Sequence, residues 1–164
     1  MNYTYLDTPI GRLLIAGDDE VVREIRFPNK KTAGKPERGW VESSRGAVGE
    51  AVRQLREYFA GKRREFDLPL DAGGTEFQRS VWRRLGEIPY GETISYGELA
   101  RRVGNPKASR AVGSANGKNP IPIVIPCHRV IAGDGTLGGF GGGLPTKETL
   151  LALEKKASAS SAAG

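Results

Sequence analysis

The hydrophobic pattern of this chain changes at the segment Pro69-Leu-Asp-Ala-Gly-Gly74. Before this segment, apolar and polar residues alternate over Tyr3 to Leu6, Arg12 to Ala16 and Val21 to Phe27, which is typical of short antiparallel strands. After it, apolar residues recur at helical spacing. Because Pro and Gly interrupt regular structure, the segment predicts a linker. The 164 residues are therefore expected to form two small domains, one built on a sheet and one mostly helical.

The first domain, predicted over residues 1–70, combines a small sheet with one helix. Thr8-Pro-Ile-Gly11 and Asp18-Asp19 supply the turns between three strands. Residues 28–46 are rich in Lys, Gly, Pro and Ser and predict a mobile loop. One face of an amphipathic helix follows, formed by Val48, Ala51, Val52, Leu55, Tyr58 and Phe59. The helix and the sheet are expected to share one core.

The second domain, predicted over residues 75–156, contains a helix-turn-helix pattern. Its first helix carries apolar residues that are expected in the core, namely Phe77, Val81, Trp82 and Leu85. Ile94 to Val103 predicts a second helix, Gly104-Asn-Pro106 a turn, and Lys107 to Asn116 a third helix. Most residues of the third helix are small, so it either approaches DNA closely or packs tightly inside the domain. The final residues 157–164 have low complexity and predict a disordered tail.

The chain has one cysteine and one histidine, and they are adjacent, as Cys127 and His128. The thiolate is the reactive form of cysteine, and a free thiol with a pKa of about 8.5 is only slightly ionised at neutral pH. A neighbouring imidazole that is oriented by a carboxylate can take the thiol proton. The pair therefore predicts an activated nucleophile. The alternative is a buried structural cysteine beside an ordinary histidine.

Composition excludes several classes of protein. One cysteine cannot form a disulfide within the chain, which favours a reducing, cytoplasmic environment. No apolar run is long enough for a membrane span, and the first residues do not resemble a signal peptide. One Cys and one His cannot supply a four-ligand zinc site, so no metal is expected. The net charge of +6 is concentrated in residues 75–164, where 12 Lys and Arg outnumber 7 Asp and Glu, and such a basic domain is compatible with a nucleic-acid partner.

Five short motifs occur together in the second half of the chain: Ile94-Ser-Tyr96, Gly104-Asn-Pro-Lys-Ala108, Arg110-Ala-Val-Gly113, Asn119-Pro120 and Ile125-Pro-Cys-His-Arg-Val130. Over residues 75–155 this pattern resembles the O6-alkylguanine-DNA alkyltransferases, DNA repair proteins that act once. The resemblance implies an α/β fold, in which a small N-terminal ribonuclease H-like sheet-plus-helix domain precedes a mostly helical C-terminal winged helix-turn-helix domain. It also implies an irreversible, stoichiometric transfer of the alkyl group to Cys127, without a cofactor.

The resemblance implies roles for the residues around the cysteine. His128 is expected to accept the thiol proton through a water molecule, and Glu154 to orient the resulting imidazolium. Asn119 is expected to organise the loop that holds Cys127. Tyr96 is expected to donate to guanine N3 and to help turn the nucleotide out of the duplex. Nothing in the sequence offers a way to remove the alkyl group again, so one protein should repair one lesion.

The implied partner is double-stranded DNA that contains O6-alkylguanine, bound through its minor groove by a monomer; cooperative binding is left open. Arg110 is expected to fill the space of the extruded base. The other implied DNA contacts are Tyr96, Asn105, Ser109, Gly113 and Arg129. The implied lesion pocket contains Val130, Phe140 and Gly141. The family usually has a tyrosine at the position of Phe140 and often a larger residue at the position of Gly141.

Other interpretations stay open at the level of sequence. A DNA-binding regulator would use the helix-turn-helix and a structural cysteine. A cysteine hydrolase would use the Cys-His pair, although its histidine is normally distant in sequence from the nucleophile. Single residues also have simpler interpretations: Glu154 as a solvated helix charge, Asn119 as a turn residue, and Lys147 as a surface lysine at a helix start, although it matches a lysine near the family's active site.

Overall fold

The computed structural model of the protein describes residues 1–28, 34–135, 138, 140 and 142–163. The chain divides into two units, Met1–Ala72 and the residues from Gly73 onward. The division falls inside the segment 69–74, where the hydrophobic pattern changes.

The alternating segments near the N-terminus form a four-stranded sheet with one helix. The strands are β1 (Asn2–Thr8), β2 (Gly11–Gly17), β3 (Val22–Arg26) and β4 (Val41–Glu42), and the helix is α1 (Gly46–Phe59). The order in the sheet is β3-β2-β1-β4, with β1 and β2 antiparallel, β2 and β3 antiparallel, and β1 and β4 parallel. Residues Leu13 to Ala16 of the central strand β2 are fully buried, and α1 packs its apolar face on β1 and β2.

The short strand β4 was not predicted, because it lies inside the segment 28–46 that was interpreted as a loop. Its two residues pair with β1 through the Val41 N–H, which donates to the Met1 carbonyl at 2.9 Å. The next bond runs from the Ser43 N–H to the Tyr3 carbonyl, also at 2.9 Å. Two residues are too few to show an alternating pattern, so the pairing is set by the partner strand. Residues 29–33 of this segment lie outside the described residues.

The second unit is mostly helical. Its helices are α2 (Glu76–Leu85), α3 (Tyr96–Val103), α4 (Ser109–Gly117) and α5 (Leu144–Ala163). Thr75 and Gln78 form a capping box that begins α2, and the Ser95 hydroxyl accepts from the Glu98 N–H to begin α3. Gly104 ends α3 with a φ of 93°, a left-handed conformation that favours glycine, and so sets the turn of the helix-turn-helix.

Two short parallel strands connect the helix-turn-helix to the cysteine segment. They are β5 (Ile94–Ser95) and β6 (Val130–Ile131), with Ile94 paired to Val130 and Ser95 to Ile131. The structure therefore differs from the predicted helix over 94–103: residues 94 and 95 form a strand, and the helix begins at Tyr96. The strand pairing joins Ser95, the residue before α3, to the strand that follows the 3₁₀ turn over Cys127–Arg129.

Two further expectations differ from the structure. Phe77 was expected in the core with Val81, Trp82 and Leu85, but its side chain is 37% exposed, because the first turn of α2 projects beyond the packed part of the helix. Residues 157–163, expected to be a disordered tail, continue α5 as a helix, since alanine has the highest helix propensity and extends a helix that is already formed. Among the described residues no helix is long and apolar enough to cross a membrane.

Candidate active site

Cys127 is held by a tightly bonded loop over residues 119–127. Asn119 clamps this loop, because its Nδ2 donates to the Ile125 carbonyl at 2.7 Å and its Oδ1 accepts from the Ile121 N–H at 3.0 Å. Ile123 between them has a φ of 73°, a region that β-branched residues rarely enter, and its side chain is buried. Such strain persists where the surroundings determine the conformation and is common at functional sites. Asn119 therefore fixes the backbone of the loop that leads to Cys127.

The Cys127 thiol is 5% exposed and is protonated at neutral pH. Burial raises its pKa to about 11, although the Asn119 side chain and the nearby ammonium of Lys147 act in the opposite direction. A thiol in this state is a weak nucleophile, because the thiolate is the reactive form. The reaction therefore needs a base that accepts the proton as the sulfur attacks.

His128 and Glu154 form a fully buried pair that can supply this base. His128 Nε2 lies 2.6 Å from Glu154 Oε2. Burial raises the pKa of Glu154, but the hydrogen bonds and charges of His128 and Arg129 lower it to about 2, so the carboxylate is ionised. Burial also lowers the pKa of His128, so the imidazole is neutral. An ionised Glu154 keeps the imidazole proton on Nε2 and leaves the lone pair on Nδ1.

The Nδ1 atom of His128 is buried and has no hydrogen-bond partner among the described residues. It is therefore the ring nitrogen that can accept a proton. Once it does, the ionised Glu154 stabilises the imidazolium through the 2.6 Å contact. His128, the residue next to Cys127, and Glu154 in α5 thus form a paired imidazole and carboxylate.

Arg129 was expected to contact DNA, but the structure buries it in this network. Its side chain is 7% exposed, and its Nε and Nη2 donate to the two oxygens of Glu154 at 2.8 and 3.1 Å. Its Nη1 donates to the Ile88 carbonyl at 2.7 Å. The physical reason is that a buried carboxylate needs a compensating cation, and the planar guanidinium matches both of its oxygens. The Gly91 N–H donates to Oε1 at 3.1 Å, so Glu154 accepts at least four hydrogen bonds from described residues.

Lys147 is also inside the site, which corrects its interpretation as a surface lysine. Its side chain is fully buried, and its Nζ donates to the Val130 carbonyl at 2.6 Å. Burial lowers the pKa of Lys147, and a negative charge on Cys127 raises it. The ammonium therefore favours the thiolate that forms as the proton leaves. In the sequence, the match to the family's lysine was the one signal for this residue.

Tyr96 stands at the start of α3 with its ring between two glycines. An ideal Cβ on Gly113 would lie 3.8 Å from the ring, an ordinary van der Waals contact, whereas one on Gly138, whose φ is 70°, would lie 3.3 Å from it, which is a tight approach. Burial and then the charge of Cys127 raise the pKa of the Tyr96 phenol, while the nearby Asn116 side chain lowers it. The phenol is therefore a neutral donor close to the cysteine.

α4 packs one face inside the domain and leaves the opposite face exposed. Val112, Ala115 and Asn116 are buried, and the Trp82 indole N–H donates to the Ala115 carbonyl at 2.8 Å. The opposite face is exposed and carries two of the expected DNA contacts, Ser109 and Arg110, while Asn105 is exposed in the turn before it. Within the described part of the chain Arg110 forms no ion pair. The exposed face is therefore available to a partner.

The expected lesion-pocket residues lie after the cysteine. Val130 is buried in β6, and Phe140 is partly exposed. Gly141 lies outside the described residues. Within the described ranges, no group of three His, Cys, Asp or Glu side chains could hold a metal ion.

A helix-turn-helix domain that buries a thiol beside a histidine–carboxylate pair defines a class: DNA-binding proteins with a cysteine nucleophile. Two family models match the chain. The ribonuclease-like domain of 6-O-methylguanine DNA methyltransferase matches residues 1–72, and the DNA-binding domain of the same family matches residues 76–156. The chain belongs to the 6-O-methylguanine DNA methyltransferase family. The predicted family and the predicted two-domain α/β fold are thus confirmed.

Individual relatives agree over nearly the whole length. A methylated-DNA–protein-cysteine methyltransferase of Mycolicibacterium paratuberculosis is 54% identical, with 98% of this chain and 96% of the relative covered. A protein of the same name from Methanosarcina acetivorans is 52% identical over 94% of this chain and 98% of its own length. Among solved structures, Mycobacterium tuberculosis OGT in complex with DNA matches with a TM-score of 0.88 and 48% identity, covering 96% of this chain and 94% of that one.

Proposed function

We propose that this protein repairs O6-alkylguanine in double-stranded DNA by transferring the alkyl group to the sulfur of Cys127. The observation that carries the proposal is the order of buried groups Cys127, His128 and Glu154, in a unit that belongs to a DNA-binding family. The names of the relatives agree with this chemistry.

The reaction forms one sulfur–carbon bond and breaks one carbon–oxygen bond. As the Cys127 sulfur attacks the alkyl carbon, its proton passes to His128 Nδ1, through the water molecule that the family resemblance implies. The electron pair of the broken bond stays on the guanine, which takes up one proton in place of the alkyl group. Tyr96 donates a hydrogen bond at guanine N3 while negative charge builds up on the base.

Transfer occurs once for each protein molecule. The product is a thioether, which resists hydrolysis. Turnover would need a second nucleophile or a water molecule aimed at the alkyl carbon. The protein is therefore consumed by its own reaction.

The base must leave the duplex to reach the buried thiol. Arg110, exposed on α4, fills the vacated space, and the small residues of this helix allow it to lie in the minor groove. Minor-groove binding distinguishes bases poorly and suits a protein that searches any sequence. We place this activity in the cytoplasm with the protein as a monomer; the single free cysteine supports a reducing compartment.

The test is direct measurement of restored guanine. A duplex oligonucleotide with one O6-methylguanine is incubated with increasing amounts of protein, then digested to nucleosides and quantified. Guanine should appear in proportion to the protein added, with a plateau at one equivalent, and the Cys127→Ser variant should restore none. Restoration that continues past one equivalent, or that survives in Cys127→Ser, would contradict the proposal.

A further inference from the structure

Arg129 and His128 share one oxygen of the Glu154 carboxylate. His128 Nε2 lies 2.6 Å from Oε2, and Arg129 Nη2 donates to the same atom at 3.1 Å. Arg129 Nε donates to the other oxygen at 2.8 Å, and its Nη1 donates to the Ile88 carbonyl at 2.7 Å. The guanidinium is therefore fixed against the carboxylate on which the imidazole depends, and the proposed mechanism does not yet use it.

A fixed cation in this place makes the imidazole of His128 a weaker base. It repels a proton on the imidazole, and it neutralises part of the carboxylate charge that would stabilise the imidazolium. The charged groups around His128 agree with this effect: burial lowers its pKa, Glu154 raises it, and the charges of Arg129 and Lys147 lower it. Glu154 and Lys147 both belong to α5, while Cys127 and Arg129 flank the histidine in its own 3₁₀ turn.

We propose that Arg129 is a positioning residue that keeps the Cys127 thiol protonated and unreactive while no DNA is bound, because it holds the Glu154 carboxylate and so prevents His128 from taking the thiol proton. A carboxylate without this cation would stabilise an imidazolium beside a thiolate, the pair that permanently activated cysteines use. The purpose of the restraint rests on the proposed function, since a thiol that is used once must not be spent on soluble alkylating agents. The restraint itself is a property of the protein without DNA.

The first experiment measures the rate constant for alkylation of Cys127 by iodoacetamide at pH 7 without DNA. Arg129→Met removes the cation and should raise this rate constant by about tenfold or more, since a neighbouring charge shifts a pKa by about one unit or more. Arg129→Lys keeps a cation and should stay within about threefold of the wild type. Arg84→Met is the matched control, because it removes a guanidinium that pairs with Glu87 at the surface, and it should change nothing.

A double variant separates this effect from local opening of a destabilised protein, which would also expose the thiol. Glutamine at position 128 cannot take a proton, so the gain of Arg129→Met should disappear when His128→Gln is added. A gain that persists in the double variant would show that opening causes it and would overturn the proposal. Alkylation of Arg129→Met at the wild-type rate, or of Arg129→Lys as fast as Arg129→Met, would overturn it as well.

A second experiment observes the imidazole itself. Because the chain has one histidine, the NMR signal of ¹³Cε1-labelled histidine belongs to His128 without further assignment. The wild type and Arg129→Lys should show a neutral imidazole at pH 7, and Arg129→Met should show a higher pKa. An imidazolium in the wild type at pH 7 would overturn the proposal, whether or not Arg129→Met folds. Failure of the wild type to restore guanine would instead overturn the proposed function, which neither experiment requires.

Discussion

Replacing Glu154 by glutamine should destabilise the protein strongly and in a pH-dependent way. From the described residues the carboxylate accepts at least four hydrogen bonds: from His128 Nε2, from Nε and Nη2 of Arg129, and from the Gly91 N–H. In Glu154→Gln one carboxylate oxygen becomes an NH₂ group, which cannot accept a hydrogen bond. At least one of the four donors then faces another donor. The buried guanidinium of Arg129 also loses its counter-charge, and breaking a buried pair in this way costs about 3 to 5 kcal/mol.

The pKa of Glu154 gives a second measure of the same effect. Folding moves this pKa from 4.5 to about 2, which corresponds to about 3 kcal/mol of stabilisation when the group is ionised. Because the folded-state pKa is depressed, the stabilisation is complete above pH 4.5 and is lost as the pH falls towards about 2. The difference between the wild type and Glu154→Gln should therefore be largest at neutral pH and shrink below pH 4.5.

The assay is urea unfolding at pH 7 and at pH 3, with Glu148→Gln as the matched control, an exposed position on the same helix. The control should change the free energy of unfolding by less than about 0.5 kcal/mol at either pH. If Glu154→Gln were no less stable than the control at pH 7, or if its loss were the same at pH 3, the inferred buried network would be wrong.

Three further outcomes follow from the same site. The Cys127 thiol should react slowly with iodoacetamide at pH 7 and faster towards pH 11, because its pKa is raised to about 11; a reaction at the rate of free cysteine at pH 7 would contradict this burial effect. Lys147→Met should raise the pKa of the Cys127 thiol further and lower the single-turnover rate constant by about tenfold, because a neighbouring cation is removed. If the pH dependence of the iodoacetamide reaction were unchanged, Lys147 would not stabilise the thiolate. Arg129→Met should reduce the free energy of unfolding by about 3 kcal/mol, because it removes the cation that pairs with Glu154. Arg110→Ala should leave the free energy of unfolding unchanged and impair alkyl transfer. If chemical unfolding and transfer assays gave the opposite pattern, Arg129 would be a DNA contact, as the resemblance implied.

Local patterns in the sequence predicted the elements whose residues show their own period. The strands β1 to β3 alternate, and α1 places its apolar residues on one face, so both could be recognised without knowledge of their partners. The strands β4 and β5 could not, because each has two residues and exists only through pairing with a distant segment. The same is true of Phe77, whose helical spacing was correct but whose exposure depends on where the packed part of α2 begins.

Charged residues of the site were the hardest to interpret. Arg129 and Lys147 look like surface residues in sequence, because such side chains are almost never buried without a partner. Their partners, Glu154 and the Val130 carbonyl, lie 25 and 17 positions away, and no periodicity links them.

The most direct test of the account is the intact mass of the protein after incubation with an excess of a duplex that contains O6-methylguanine. The wild type should gain one methylene, about 14 Da, once and no more, and peptide mapping should locate the gain on Cys127. The Cys127→Ser variant, treated in the same way, should gain nothing. No gain in a wild-type protein that still binds DNA, or a gain on any other residue, would contradict the claim that Cys127 is the acceptor of the alkyl group.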